Sequence, residues 1–110
     1  MSWVTDVLLC LNLEERLDDE GSFTASCKPL EEINSWLSEN QLGTLAELSI
    51  HMETGGKAVQ AFVYGGSFNH LDMEKFKGFV FSRHWQFPEA VQLLLNDEQD
   101  VCFKLYTSNA

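Results

Sequence analysis

The chain has 110 residues, of which 45% are hydrophobic and 22% charged, and a formal net charge of −10 at pH 7. That length holds one core and is too short to divide into two domains, and the apolar content excludes a disordered chain in spite of the charge. The longest apolar run near the N-terminus, Val7 to Leu11, falls far short of the roughly 20 residues that span a bilayer, so no membrane partner is expected.

Asp6 precedes that run and no Lys or Arg appears before Arg16, which disfavours a secretory signal. Cys10, Cys27 and Cys102 form an odd set without CxxC spacing, which fits a reducing, cytoplasmic setting. Residues 1–56 hold eleven Asp or Glu against Arg16 and Lys28, a net of −9, while residues 57–110 hold six against five, a net of −1. A field of this sign repels phosphate backbones and anionic lipids and attracts basic partners, so nucleic acid is not an expected partner.

Along the chain, Trp3 to Leu13 alternates, with Trp3, Thr5, Val7, Leu9 and Leu11 on one side, and predicts a long strand. Glu14 to Ser26 is polar and aperiodic and reads as an exposed loop. Pro29, the acidic pair Glu31 and Glu32, and the spacing of Leu30, Ile33, Trp36 and Leu37 predict a helix over about 29–40, with Gly43 just past its end. Leu45 to Met52 returns to period two, with Ala46, Leu48, Ile50 and Met52 facing inward. The turn residues Glu53 to Lys57 then lead into a strand over Ala58 to Tyr64.

Gly65 and Gly66 are expected to break that strand. Asn69 then caps a helix over about 70–82 with the apolar face Met73, Phe76, Phe79 and Val80. Trp85, Phe87 and Pro88 form an aromatic connection, and Glu89 to Asn96 and Asp100 to Thr107 form a hairpin about Asp97-Glu98-Gln99. Its inner face pairs Val91, Leu93 and Leu95 with Val101, Phe103 and Leu105. The order βαββαββ predicts one α+β domain over residues 1–110. In it a mainly antiparallel sheet carries two helices on one face, an order compatible with a ferredoxin-like arrangement plus one strand.

The pattern offers little chemistry. His51, His70 and His84 have no metal-ligand spacing, and Asp18, Asp19 and Glu20 lack the spacing of a calcium loop, so neither a metal nor a cofactor is implied. The cysteines read as buried or idle thiols, with Cys27, near a helix N-terminus, the one suited to alkylation. Phe81, Trp85 and Phe87 read either as core or as an exposed aromatic patch at the end of the second helix.

Two functional readings follow. In the first, the protein is a non-enzymatic binding protein of bacterial kind, resembling in character an immunity-type inhibitor of a basic toxin. Asp18, Asp19, Glu20, Glu31, Glu32 and Glu39 then meet Lys and Arg of a basic protein partner. In the alternative, a small ligand or anion, or the substrate of a minor enzyme, sits at the Gly65-Gly66 strand–helix junction. There Ser67, Asn69 and His70 act as polar contacts and Trp85 as a stacking wall. A homodimer through edge strands or the aromatic patch is compatible with either.

Overall fold

A computed structural model describes residues 4–48 and 61–108 of the chain. The first strand, β1 (Val4–Leu11), buries every second residue, and Thr5, Val7, Leu9 and Leu11 are each at most 1% exposed. Two-residue periodicity is what turns such a sequence into a strand with one face in the core. β2 (Ala46–Glu47) and β3 (Phe62–Asn69) follow the first helix, and β4 (Gln92–Asp97) and β5 (Lys104–Thr107) follow the second. All pairings are antiparallel, in the order β2-β3-β1-β4-β5, with β1 at the centre. The fold is α+β, and its strand order and directions are compatible with a ferredoxin-like sheet that has β5 added at one edge.

The first helix, α1 (Lys28–Glu39), has Pro29 in its first turn, where the missing N–H costs nothing, and Glu31 beside its positive end. It ends in a Schellman turn. The N–H of Leu42 reaches Leu37 O at 2.9 Å and that of Gln41 reaches Ser38 O at 3.0 Å. The left-handed residue of that turn is Gln41 (φ 60°) rather than the glycine expected at 43, although Gly43 also has positive φ, 112°. The second helix, α2 (Met73–Phe81), starts later than its pattern suggests. Asn69 is the last residue of β3, His70 turns the chain at φ 58°, and Asp72 is the cap, accepting from Lys75 N at 3.1 Å.

Leu30, Ile33 and Leu37 of α1 and Phe76 and Val80 of α2 share one buried cluster with Val7, Leu9, Leu11, Leu93 and Leu95, so both helices cover the same sheet face. Among the described residues no helix is long and apolar enough to cross a membrane.

Several expectations need correction. Leu13 is not part of β1; it opens a 3₁₀ helix, Leu13–Arg16, capped by Asn12, whose Oδ1 accepts from Glu14 N at 2.8 Å. The segment after β1 is therefore not a uniformly exposed loop, and Glu15 within it is only 2% exposed. Gly65 and Gly66 do not break a strand, because they lie inside β3, paired to Leu8 and Val7. A Cβ on Gly65 would stand 2.8 Å from Leu48 Cδ1 and 3.2 Å from Val7 O, and one on Gly66 would stand 2.8 Å from Phe68 Cζ. Close packing, not a turn, is why glycine stands there.

Ala46 and Leu48 face away from the helices, since Ala46 pairs with Gly65, while Glu47 opposite Tyr64 takes the helix side. The last hairpin is shifted by three residues: Leu93 faces Tyr106, where Phe103 was expected, Leu94 faces Leu105 and Leu95 faces Lys104. Asp97 belongs to β4 and the connection runs over 98–103, and because the slip is an odd number of residues it turns every side chain of the returning strand over. Val101, Phe103 and Leu105 are accordingly exposed, Val101 fully. Trp3, residues 49–52, the turn 53–57 and strand residues 58–60 lie outside the described residues.

Candidate functional site

On the outer side of the helix pair, α1 offers a stripe at helical spacing, and Lys28, Glu31, Glu32, Ser35, Trp36 and Glu39 line a groove of about 380 Å³. Phe79 of α2 and Arg83 just beyond it close the other wall. The floor is aromatic. Trp36 stacks on Phe79 with centroids 5.6 Å apart and planes at 27°, and it also meets the tilted Phe76 ring at 5.8 Å. Phe76 is fully buried, so Trp36 bridges the core to the groove.

Arg83 already occupies one end. Its guanidinium carbon lies 3.8 Å from the centroid of the Phe79 ring, its Nε donates to Phe79 O at 3.0 Å, and its Nη1 is 3.5 Å from Glu32 Oε1. A planar cation stacked on an aromatic face beside a carboxylate is the arrangement that an acidic, aromatic groove offers to any guanidinium. A second cavity of about 230 Å³, lined by Lys28, Pro29, Glu32, Ser82, Arg83 and His84, continues from that end. The groove is thus acidic along Glu31, Glu32 and Glu39 and basic where α1 begins.

Of the six carboxylates expected to meet a partner, Glu31, Glu32 and Glu39 are brought together here. Asp18, Asp19 and Glu20 do not line the groove. They occupy a tight turn in which Asp18 Oδ1 accepts from the N–H groups of Glu20 and Ser22, each at 2.9 Å. Other acids of the N-terminal half are engaged within the fold: Glu15 with Phe87 N, Glu47 with Arg16, and Asp6 with the Ser67 hydroxyl.

The residues of the alternative ligand site are not gathered into one concavity. Gly65 and Gly66 look to opposite sheet faces, Ser67 spends its hydroxyl on Asp6, and Asn69 and His70 are exposed where β3 ends and the chain turns toward α2. Trp85 lies past the other end of that helix, 8% exposed, with Nε1 donating to Val80 O at 2.8 Å. With Trp85 buried and Phe81 and Phe87 half-buried, the aromatic cluster is largely core and does not form an exposed patch.

Cys27 is half-buried at the head of α1, and burial pushes its thiol above the ordinary range, outweighing the lowering by Leu30 N–H and Arg16. Burial also raises Cys10, while Cys102 is exposed. His84 is exposed, and His51 lies outside the described residues. Among the described residues no group of three or more His, Cys, Asp or Glu could hold a metal ion.

Sequence reasoning missed Trp36, Phe79 and Arg83 as site residues. The signal was present in part: Glu32, Trp36 and Glu39 recur at spacings of four and three and so share a helix stripe. What the stripe lacked was its opposite wall, which only the packing of α2 supplies. No family model, curated protein or solved structure matches the chain.

Proposed function

We propose that the protein is a non-enzymatic binding module whose α1–α2 groove receives cationic side chains of a basic protein partner. The observation that carries this reading is the stacked Trp36–Phe79 floor flanked by Glu31, Glu32 and Glu39, with Arg83 held there as a guanidinium should be. A cation placed over such a ring beside a carboxylate gains about 1–2 kcal/mol when partly desolvated. The net charge of −10 adds long-range steering toward a positive partner. Neutralising a basic toxin, as immunity-type inhibitors do, is the form of this function that best suits so small and acidic a chain.

The test is a titration with an arginine-rich peptide, followed by NMR at the Trp36 indole N–H. The reading expects saturable shifts there, an affinity that falls at least about tenfold from low to high salt, and no response to a glutamate-rich peptide. The double variant Glu31→Lys/Glu39→Lys should lose most of that affinity. Shifts confined to the Asp18–Glu20 turn, or equal binding by the double variant, would reject the groove.

A further inference from the structure

The sheet face opposite the helices is crossed by an apolar row. The pairing registers align Ala46, Gly65, Leu8, Leu94 and Leu105 across all five strands. Leu48, whose N–H donates to Val63 O at 2.7 Å, lies beside that row at the β2 edge with its side chain near the Gly65 position. Two of the exposed large hydrophobic residues therefore mark the ends of this band: Leu48, 36% exposed, at the β2 edge and Leu105, 55% exposed, at the β5 edge. Among the described strand residues on this face, Asp6 carries the only formal charge, and it accepts a hydrogen bond from Ser67.

We propose that the protein pairs with a second copy of itself through this face. Charge selects that occupant. Two molecules of net −10 repel one another over most of their surfaces, and on this face the described strand residues set only one carboxylate per copy, that of Asp6, which already accepts from Ser67. A basic partner gains nothing from Leu8, Leu94 and Leu105 and is drawn to the helix side instead. A row of aliphatic side chains is also self-complementary under a twofold axis, as an interface between identical surfaces must be. Four inter-strand spacings of about 4.8 Å make the row about 19 Å long, and an apolar centre depleted in charge is what dimer interfaces favour. Stacked sheets in such a pair sit about 10 Å apart with their side chains interleaved.

The experiment is sedimentation velocity on the full chain across a wide concentration range, with two variants. Wild type should form a dimer that tightens as salt is added, because screening removes the mutual repulsion while the apolar contact remains. Leu105→Glu should weaken the dimer at least about tenfold, with circular dichroism and melting unchanged because residue 105 is exposed. Val101→Glu, in the 98–103 connection, should leave it intact. An independent reading comes from a mixed isotope-labelled sample, in which intermolecular NOEs are expected between the methyls of Leu8, Leu94 and Leu105. A monomer at every concentration, or a dimer that Val101→Glu dissolves and Leu105→Glu does not, overturns the proposal.

Discussion

Glu15 Oε1 accepts a hydrogen bond from the backbone N–H of Phe87 at 2.6 Å, joining positions 72 residues apart in sequence. The carboxylate is almost wholly buried and anchors the connection after α2 to the 3₁₀ helix after β1. Glu15→Ala should cost about 1–3 kcal/mol, because it strands a part-buried N–H that had a carboxylate acceptor. Glu15→Gln keeps an acceptor and should cost clearly less. Urea denaturation of the two variants checks the order.

Arg16 is a second organising side chain. Its Nε donates to Thr24 O at 2.8 Å, its Nη1 reaches Glu47 Oε1 at 2.9 Å and the Tyr64 hydroxyl at 3.2 Å, and it stacks 4.0 Å from the Phe62 ring centroid. Arg16→Ala removes the Glu47 ion pair, the hydrogen bonds to Thr24 O and Tyr64 and the stack on Phe62 together, and should cost about 3 kcal/mol. Arg16→Lys restores the charge but not the fork, and should recover only part of that loss. Thermal unfolding of both variants reads the difference.

Gly65→Ala should destabilise the protein by about 1–3 kcal/mol, the range for overpacking. The added methyl meets two leucine methyls, which can move, and the Val7 carbonyl at 3.2 Å, which can do so only with β1. Chemical denaturation should show a lower midpoint with unchanged slope.

Alkaline pH should unfold the chain earlier than its surface charge alone would. Burial raises the hydroxyl of Tyr64, the thiol of Cys27 and the thiol of Cys10, and in Tyr64 the bond from Arg16 only partly opposes it. A group whose pKa is higher in the fold than in the open chain binds its proton more tightly when folded. Its contribution is complete below the unfolded value and vanishes as pH climbs through the folded one. Stability should therefore be held up to about pH 8 and fall from there through pH 10 and above. Tyr64→Phe, which cannot ionise, should flatten the upper part of that fall in melting curves taken against pH.

Arg83→Ala should improve binding of an arginine-rich peptide by about fivefold, or ~1 kcal/mol. It frees the Phe79 face and Glu32 from the internal guanidinium that holds them. Weaker binding by this variant would mean that Arg83 itself contacts the ligand. Isothermal calorimetry distinguishes the two.

What the sequence made legible was periodicity against a single apolar face. Val7, Leu9 and Leu11 are read directly from alternation, and Leu30, Ile33 and Leu37 from helical spacing under a proline start. Where apolar residues occupy both parities, alternation loses its meaning. Val101, Phe103 and Leu105 offered one register and Tyr106 another, and the longer connection after Asp97 decided for Tyr106. Ala46 and Leu48 misled in the same way, because this sheet has apolar side chains on both faces. The glycines at 65 and 66 look like a turn until Phe68, Leu8 and Leu48 are seen filling their space. In the groove, Glu31, Glu32 and Glu39 were readable as charge on one helix, whereas its aromatic wall depended on where a second helix landed.

Because β1 is flanked by β3 and β4, the first of the described strands has no hydrogen-bonding neighbour close to it in sequence. Its mates emerge more than fifty and more than eighty positions later. Loop-closure entropy must be met before either pairing rewards it, which slows this topology relative to one built from local pairs. During synthesis, Val7, Leu9 and Leu11 stay without a finished core until the segment through Asp97 has emerged, which leaves an apolar strand open to wrong contacts in the interval.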